Sequence, residues 1–419
     1  MARYIYGIDF GTSNSALAVL DVERHEIVKV LSIPSVLFFP ESGGESLVGR
    51  AAIEGYIASE MKGRFMKSVK RILPNNRFRD TKIGSKRYTA EDLVALLLTA
   101  LKAQADAWVG ESVTTAVIGR PVIFDEDPER DALAQARLAK AVQIAGFEKY
   151  YFQFEPIGAA FTYEGSLAGE TQVLVADFGG GTSDFSLMRL NPARALLRDR
   201  SADMRAKGGI YIGGDSFDSA IMWERGTPHF GRGLNFQSQP GKWLPLPITF
   251  FHNICYWDKM NFFDSVKIRN DIDDYYHFTG KRLELQNLKT LVEKNLTYQV
   301  FQQIEATKIA LSTQDSAVFQ VNMEGIRFKE KISLQAFSEE IIQEDLDRID
   351  GYLETFLEKQ SVAADQVDVV FLTGGTSLVR PVRDRLAARF GAHKLRSGDD
   401  FESVVKGLAL SYRILGEGE

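Results

Sequence analysis

The chain has 419 residues, enough for roughly two or three domains with sizeable cores. Its 45% hydrophobic and 25% charged residues are typical of a globular protein, and its net charge of −6 disfavours nucleic acid or an anionic membrane as the main partner. No apolar run reaches the length that crosses a bilayer, and Asp9 and Gly11 interrupt the segment where a secretory signal would be apolar. We therefore expect a cytoplasmic protein without a membrane or nucleic-acid partner.

The first predicted element is a β-hairpin that recurs later in the chain. Residues 4–20 and 173–190 each contain an apolar strand ending in Asp-Phe-Gly, a turn rich in Gly, Thr and Ser, and an alternating second strand. The two aspartates, Asp9 and Asp177, are 168 positions apart. This spacing indicates a duplicated lobe rather than a short-period repeat.

The other predicted elements alternate between helix and strand, which predicts α/β layers. In chain order they are a helix over 91–108 capped by Thr89, a strand over 115–118, a helix over 128–145 that Gly146 stops, a helix with Pro156 in its first turn, a strand over 367–372 and a helix over 380–390.

Residues 223–278 differ in composition from the rest, because they contain three of the four Trp and three of the five His. We interpret them as an irregular insertion with its own aromatic core, or as a partner surface. His229, His252 and His277 lack the spacing of metal ligands. Cys255, the single cysteine, excludes an intrachain disulfide and is interpreted as a buried structural thiol rather than a reactive one.

The turns of the two hairpins have the residue types of a phosphate-binding site. Glycine lets the backbone approach an anion closely, convergent N–H groups bind it, and hydroxyls add donors. A carboxylate would repel phosphate, so we expect Asp9 and Asp177 to hold Mg²⁺, mainly through water. The candidate phosphate-binding residues are Gly11, Thr12, Ser13, Asn14, Gly179, Gly180, Gly181 and Thr182.

Six motifs in a fixed order extend this pattern over nearly the whole chain. They are Gly-Ile-Asp-Phe-Gly-Thr-Ser-Asn-Ser (7–15), Phe-Glu-Pro-Ile-Gly-Ala-Ala (154–160), Asp-Phe-Gly-Gly-Gly-Thr-Ser-Asp (177–184), Ile-Gly-Gly-Asp-Ser-Phe-Asp (212–218), Glu-Ala-Thr-Lys-Ile-Ala-Leu-Ser (305–312) and Leu-Thr-Gly-Gly-Thr-Ser (372–377). Together they resemble the nucleotide-binding domain of the DnaK-type heat-shock chaperone family, within the actin, sugar-kinase and heat-shock ATPase superfamily. The short, YegD-like members are the most similar.

The resemblance implies an α/β, two-lobed actin-like ATPase fold, with duplicated ribonuclease-H-like lobes around a nucleotide cleft. Lobe I is expected over 1–169 plus 398–419, with a peripheral subdomain over about 39–110. Lobe II is expected over 170–397, with an enlarged aromatic subdomain over about 223–304.

The resemblance also implies roles for individual residues in binding ATP or ADP with Mg²⁺ and K⁺. Asp9 and Asp177 hold the hydrated metal, Glu155 positions water there, Lys70 faces the γ-phosphate and orients the attacking water, and Thr182 contacts phosphate. A plain surface charge is the alternative interpretation of Lys70, since residues 62–87 carry ten Lys or Arg and one acid. The remaining expected nucleotide contacts are Gly213, Gly214, Asp215, Glu305, Lys308, Ser312, Gly374, Gly375 and Thr376.

Three of these, Glu305, Lys308 and Ser312, fall on one helical face, which an ordinary amphipathic stripe would also produce. The chain departs from the family at Ile309 and Leu378, where arginines that flank adenine are usual. We therefore expect adenine to be held by apolar contact.

The sequence predicts a Mg²⁺-dependent, slow ATPase that is related to the DnaK chaperones and has no peptide-binding domain of its own. An unknown client or regulatory protein is expected to bind, with 223–278 as the candidate surface. The alternatives are a nucleotide-gated scaffold or cytoskeletal protein and a small-molecule kinase of the same superfamily.

Overall fold

The computed structural model describes residues 3–59, 62–125, 127–164, 167–194, 197, 201–256, 265–397 and 402–416. Its strands, numbered in chain order, are β1 (Tyr4–Phe10), β2 (Asn14–Asp21), β3 (Glu26–Pro34), β4 (Val36–Pro40), β5 (Leu47–Val48), β6 (Gly63–Lys67), β7 (Thr81–Ile83), β8 (Lys86–Tyr88), β9 (Thr115–Arg120), β10 (Lys149–Phe154), β11 (Thr171–Phe178), β12 (Ser183–Leu190), β13 (Met204–Ile210), β14 (Asn235–Gln239), β15 (Lys242–Pro245), β16 (Ser316–Met323), β17 (Ile326–Ser333), β18 (Val369–Thr373) and β19 (Leu395–Ser397).

The α-helices are numbered in the same way. They are α1 (Arg50–Ala58), α2 (Ala90–Val109), α3 (Pro128–Ile144), α4 (Glu155–Glu164), α5 (Gly214–Ile221), α6 (Ile248–Ile254), α7 (Val266–Phe278), α8 (Leu283–Glu293), α9 (Thr297–Leu311), α10 (Leu334–Ala336), α11 (Gln343–Lys359), α12 (Arg380–Phe390), α13 (Ser403–Leu410) and α14 (Tyr412–Leu415). Within the described residues, no helix has the length and apolar character needed to cross a membrane.

Two five-stranded sheets share one topology. The first has the order β10-β9-β1-β2-β3, and the second has the order β19-β18-β11-β12-β13. The hairpin strands are antiparallel in both sheets: β1 with β2, and β11 with β12. On its other side, β1 pairs in parallel with β9, and β11 pairs in parallel with β18. The register shifts after Val19 in the first sheet and after Leu187 in the second, which are again 168 positions apart. The duplication predicted from the hairpins is therefore confirmed in strand order and in the position of an irregularity.

The predicted elements around these sheets are present with small changes at their ends. Helix α2 begins at a capping box in which the Thr89 hydroxyl accepts from the Asp92 N–H, and the Asp92 carboxylate accepts from the Thr89 N–H at 2.9 Å. Helix α3 begins with Pro128, and Gly146 beyond its end has φ of 90°. Helix α12 spans the predicted residues 380–390.

The face of the first sheet that carries Tyr6, Ile8 and Phe10 packs on α2 and α3 in a continuous apolar core. Residues of α13, including Val405 and Ala409, pack with Ile5 and Ala18 on the other face. Both faces are covered, so β1 is apolar along most of its length rather than alternating.

Glycines allow α13 to approach its neighbours closely. A Cβ on Gly7 of β1 would overlap the backbone of Ala409, and one on Gly407 would overlap the carbonyl group of Gly158 in α4. Since backbone atoms cannot rotate away as a side chain can, these positions are restricted to glycine by packing.

Contacts divide the chain into two compact units. Unit 1 contains 1–211, 351–377 and 385–419, and unit 2 contains 212–350 and 378–384. Both five-stranded sheets belong to unit 1. The lobe boundaries proposed above follow the two sheets instead and stay a prediction, and 398–401 and 417–419 of lobe I lie outside the described residues.

Unit 2 contains the aromatic segment, which is more regular than the sequence predicted. Residues 223–278 include the β14–β15 hairpin and helices α6 and α7, while 257–264 lie outside the described residues. Three of its prolines are compatible with these elements: Pro228 lies in a short 3₁₀ turn, Pro245 at the end of β15, and Pro247 before α6. The expectation that this segment is irregular was therefore wrong for its described residues.

The expected aromatic core is present in unit 2. Trp223 stacks on His252 with ring centroids 4.4 Å apart, and His229 stacks on Phe328 at 4.1 Å. Phe328 lies in β17, so the core extends beyond 223–278. Cys255 is buried, and burial raises the pKa of its thiol to about 12. It stays protonated at neutral pH, as expected for a structural thiol.

Candidate functional site

The turn of the first hairpin is held by the hydroxyl of a neighbouring segment. Ser35 donates its Oγ–H to the carbonyl oxygen of Gly11 at 2.8 Å, and its backbone N–H donates to the Ser13 carbonyl oxygen at 2.8 Å. The Ser15 hydroxyl, 2.8 Å from Ser35 Oγ, then donates to it. A Cβ on Gly11 would overlap the carbonyl oxygen of Asn14, so this tight turn requires glycine.

The turn of the second hairpin is held in a similar way by different residues. The Gly179 N–H donates to the Thr182 carbonyl oxygen at 2.9 Å, and Thr376 donates its hydroxyl to the Gly179 carbonyl oxygen at 2.9 Å. The guanidinium of Arg71 lies against Gly181, where it would overlap an added Cβ. The second turn therefore has a cation beside its backbone, which the sequence analysis did not anticipate.

Lys70 reaches the site from a short 3₁₀ turn, Val69–Ile72, that follows β6. Its Nζ is 2.9 Å from Oε1 of Glu155, and both side chains are largely buried. Ser68, just before the turn, has the left-handed φ of 59°, which is strained for a residue with a Cβ. Lys70 is therefore part of a buried ion pair, and the alternative of a plain surface charge is wrong.

Glu155 is the first residue of α4 and follows the edge strand β10. A carboxylate at a helix N-terminus is favoured by the helix dipole. Pro156 occupies the first turn, where it lacks only an N–H that would have no partner within the helix. These local features bring Glu155 to the end of the first sheet, beside Lys70.

Asp9 and Asp177 end equivalent strands, β1 and β11, and their electrostatic interactions show that they share a site with the ion pair. Burial, followed by repulsion from Glu155, raises the pKa of Asp9 to about 7, although Lys70 acts in the opposite direction. Burial and Glu155 also raise the pKa of Asp177, while a hydrogen bond from Thr373 lowers it.

Burial and the neighbouring carboxylates shift the pKa of Lys70 in opposite directions. Burial lowers the pKa of its amine, but the carboxylates of Glu155, Asp9 and Asp177 raise it by more, so the net shift is upward. Lys70 is therefore protonated at neutral pH. Three carboxylates surround one ammonium group, which leaves an excess of negative charge at the site.

A fourth acid in the cluster, Asp184, was not among the expected site residues. Asp184 of β12 lies directly opposite Asp177 in the strand pairing and accepts the Thr182 hydroxyl at 2.7 Å. Burial is the largest cause that raises its pKa to about 7. The signal was present in the sequence, since a four-residue turn between the paired strands places Asp184 opposite Asp177.

The residues present fit a hydrated divalent cation. Within the described ranges, no three or more His, Cys, Asp or Glu side chains form a group that could hold a metal ion. Mg²⁺ usually needs only one or two carboxylates together with water and substrate phosphates. Asp9 and Asp177 supply such oxygens, and a cation would offset the repulsion that raises their pKa values.

The strand β18 brings the third glycine turn to the same region. Gly374 has φ of 76°, and an added Cβ would come within 2.5 Å of Oδ1 of Asp177. Ser377 donates its hydroxyl to the Gly374 carbonyl oxygen at 2.6 Å, and Gly375 begins a 3₁₀ turn, Gly375–Leu378, that also contains Thr376. The structure therefore places Gly374 next to a predicted metal-binding carboxylate.

The remaining expected nucleotide contacts lie in unit 2. Gly213 precedes α5, and Gly214 and Asp215 are in its first turn. Lys308 of α9 places its Nζ 2.8 Å from Oδ1 of Asp218 and donates to the Gly214 carbonyl oxygen at 3.1 Å. Lys308 thus connects α9 to the Gly-Gly turn. The sequence did not predict its ion pair with Asp218.

The other members of the α9 face are less constrained. Glu305 is exposed, and Ser312 donates its hydroxyl to the Lys308 carbonyl oxygen at 3.3 Å. Ile309 and Leu378, which replace the usual arginines, are 62% and 45% exposed. Both are large apolar side chains open to solvent, as an apolar contact with adenine would require.

A comparison with protein families agrees with this geometry. The family model described as Hsp70 protein matches residues 69–225 and 274–419, well over half of the chain. The matched segments include Lys70, Glu155, the second hairpin and the Gly374 turn, and they flank most of the aromatic segment. The chain therefore belongs to the Hsp70 family, with that family's two-lobed actin-like ATPase fold and its ATP-binding, chaperone-related role.

Proposed function

We propose that this protein binds ATP with Mg²⁺ and hydrolyses it slowly, and that turnover controls its association with another protein. Family membership supports ATP binding and ATPase chemistry at the level of the family. The observation that carries the proposal is the buried Lys70–Glu155 ion pair, which shares its electrostatic environment with Asp9 and Asp177.

In this proposal the two hairpins bind the phosphates. The backbone N–H groups of both turns donate to phosphate oxygens, and the hydroxyls of Thr12, Ser13 and Thr182 add donors. The guanidinium of Arg71, against Gly181, contributes positive charge at the second turn. Tight turns held by Ser35 and Thr376 keep these donors in place before the nucleotide arrives.

Asp9 and Asp177 would hold Mg²⁺, mainly through water, and K⁺ would bind at nearby oxygens. Bound Mg²⁺ would supply positive charge that neutralises the phosphate oxygens. Lys70, kept protonated by the neighbouring acids, would face the γ-phosphate and orient the attacking water, and Glu155 would orient Lys70 and water. Such catalysis operates by positioning and charge neutralisation.

In unit 2, adenosine would contact the Gly213–Gly214 turn and the face of α9. In unit 1, the Gly374–Gly375 turn is proposed as a nucleotide contact of its own. Lys308 is already bound to Asp218 and Gly214, so it would stabilise the turn on which the nucleotide lies. Ile309 and Leu378 would cover the purine with apolar surface in place of guanidinium groups.

The proposal is tested by calorimetric titration of the purified chain with ATP and Mg²⁺ and by measuring phosphate release. We expect saturable binding at one site and turnover that requires Mg²⁺. Folded protein, verified by a cooperative thermal transition, that binds no nucleotide would refute the proposal. Phosphate transferred to a sugar or acid instead of water would support the kinase alternative.

Lys70→Ala separates binding from turnover. We expect ATP affinity within a few-fold of the original value and a turnover reduced by about 100-fold or more, because the charge that orients water is lost. Lys86→Ala, which removes an exposed lysine from the same basic segment, is the matched control and should change neither. Unchanged turnover in Lys70→Ala would refute the assigned role.

A partner surface is proposed on the exposed part of 223–278. Trp243 on β15 and Ile248 at the start of α6 are half-exposed or more. Large exposed apolar side chains of this kind favour contact with a client or regulatory protein. Light scattering with and without ATP distinguishes this from a self-assembling scaffold, since nucleotide-dependent growth in particle size that Trp243→Ser abolishes would indicate self-assembly.

A further inference from the structure

Arg137 of α3 makes an unusual set of hydrogen bonds to a single backbone segment. Its Nη1 donates to the carbonyl oxygens of Ile72, Leu73 and Asn75 at 3.2, 2.9 and 3.0 Å, and its Nη2 donates to that of Phe78 at 2.7 Å. The side chain is only 13% exposed. One guanidinium thus binds four carbonyl groups within residues 72–78.

These carbonyls lie at the end of the 3₁₀ turn that carries Lys70. The Ile72 and Asn75 carbonyl oxygens also accept the N–H groups of Asn75 and Phe78, both at 3.1 Å, whereas Pro74 has no N–H to offer. A positive charge is favoured at this end of a helix. A planar guanidinium with five donors can serve several acceptors at once, which the single ammonium group of a lysine cannot reproduce.

The guanidinium is itself anchored from the opposite side. Its Nε is 4.0 Å from Oε2 of Glu91, a largely buried carboxylate in the first turn of α2. Two long helices of the apolar core, α2 and α3, therefore fix the position of Arg137. The segment 72–78 is bound to the rigid core of unit 1 rather than left as a surface loop.

The other end of the Lys70 turn is strained rather than anchored. Ser68 has φ of 59°, and its carbonyl oxygen accepts the Arg71 N–H at 3.0 Å. The Lys70 carbonyl oxygen accepts the Leu73 N–H at 3.2 Å, and the Leu73 carbonyl oxygen in turn accepts a hydrogen bond from Nη1 of Arg137 at 2.9 Å. The backbone of Lys70 is thus hydrogen-bonded to Leu73, and Leu73 is itself hydrogen-bonded to the guanidinium of Arg137.

We propose that Arg137 is a positioning residue for Lys70: by binding the carbonyls of residues 72–78, it holds the 3₁₀ turn so that the Lys70 ammonium group faces the reacting phosphate. The inference rests on the proposed ATPase function. Arg137 acts through the backbone and touches neither Lys70 Nζ nor Glu155.

The test compares Arg137→Ala, Arg137→Lys and Arg137→Gln with the original protein. Arg137→Ala should reduce the single-turnover rate of ATP hydrolysis by about 10-fold or more with ATP affinity changed by less than about 3-fold, because only orientation is lost. Arg137→Lys should resemble Arg137→Ala, since the positive charge alone cannot bind four carbonyls. Arg137→Gln keeps two donors and should be intermediate, and it tests the proposal if Arg137→Ala does not fold.

Lys140→Ala is the matched control. Lys140 lies on the same helix, is exposed and is 3.4 Å from Glu91, but its ammonium group has no hydrogen bond to residues 72–78. It should keep the original rate. A folded Arg137→Ala protein with the original rate, a full rescue by lysine, or equal losses in affinity and rate would overturn the proposal.

A second measurement separates this inference from the proposed function. In protein without nucleotide, amide hydrogen exchange over 69–78 should be faster in Arg137→Ala than in the original protein and unchanged in Lys140→Ala. If the original protein hydrolyses no ATP, the proposed function fails. Unchanged exchange in Arg137→Ala refutes the anchoring of the turn whether or not ATP is hydrolysed.

Discussion

The two Asp-Phe-Gly hairpins have the same backbone but differ in what supports them. In both, the carbonyl oxygen of the first turn glycine accepts a hydroxyl hydrogen bond, from Ser35 to Gly11 and from Thr376 to Gly179. Ser35 lies 24 positions after Gly11, just beyond β3, whereas Thr376 lies 197 positions after Gly179. The duplicated feature is thus a hydrogen bond to a specific carbonyl, and the donor can come from unrelated parts of the chain.

Two further differences lie within the strands. Where the second hairpin has Asp184 opposite Asp177, the first has Ala16 opposite Asp9. Where the second sheet has Val175, the first has Gly7, against which α13 packs. The first hairpin is therefore specialised for close packing of a helix, and the second concentrates the titratable groups.

The largest effect is expected from Gly7→Ala, which removes the close approach of α13 to the first sheet. An added Cβ would overlap backbone atoms of Ala409 and Val405, and neither can move without displacing the helix. We expect the free energy of unfolding to fall by about 3 kcal/mol or more, measured by urea denaturation.

Gly351→Ala in α11 is the matched control for that substitution. No atom lies within 4 Å of an added Cβ there, so the change should stabilise the helix by about 0.5 to 1 kcal/mol. A small effect of Gly7→Ala would mean that α13 can withdraw from the sheet at little cost.

Asp184→Asn should make the second hairpin resemble the first in its response to pH. The folded pKa of Asp184, about 7, lies above the unfolded value near 4. Ionisation of this carboxyl group therefore lowers the free energy of unfolding as pH rises from about 4 to 7. Without nucleotide or metal, the variant should be more stable than the original by up to about 4 kcal/mol at pH 8 and equal to it near pH 4. A difference that does not vary with pH would contradict the assigned ionisation.

Ser35→Ala and Thr376→Val compare the two supporting hydroxyls directly. Ser35→Ala leaves the Gly11 carbonyl and the buried Ser15 hydroxyl each without a partner and should lower the free energy of unfolding by about 1 to 2 kcal/mol. Thr376→Val removes one hydrogen bond while keeping the shape, and should cost about 1 kcal/mol. Equal losses would indicate that the Ser15–Ser35 contact contributes little.

Much of the fold could be predicted because its signals are local. The hairpins, the Thr89 cap and the proline and glycine at the ends of α3 depend on residues a few positions apart. Local sequence patterns do not predict that four distant residues share a site, because this depends on which strands are neighbours in the sheets. These residues are Asp9, Lys70, Glu155 and Asp177. For these residues the family resemblance supplied the expectation.

Other features could not be predicted because they depend on tertiary contacts between positions with no shared pattern. In the sequence, Arg137 has no feature that distinguishes it from other charged residues on a helix. Only the structure shows that its guanidinium donates to four carbonyl oxygens. In the sequence, Arg71 resembles the other basic residues of 62–87, and only the structure shows that its guanidinium lies against Gly181. The composition of 223–278 suggested an irregular segment, although Pro245 and Pro247 lie at the ends of regular elements.

The packing of α13 on β1 also bears on the order in which the chain can fold. Ile5 and Ala18 share a core cluster with Val405 and Ala409, which are separated from them by almost the whole length of the chain. Loop closure over such a distance is slow, and the part of this sheet face formed by Ile5 and Ala18 lacks its α13 partner until residues 403–410 have been synthesised. During translation that apolar face is exposed while the rest of the chain is made, so this member of a chaperone-related family would itself benefit from a holding chaperone.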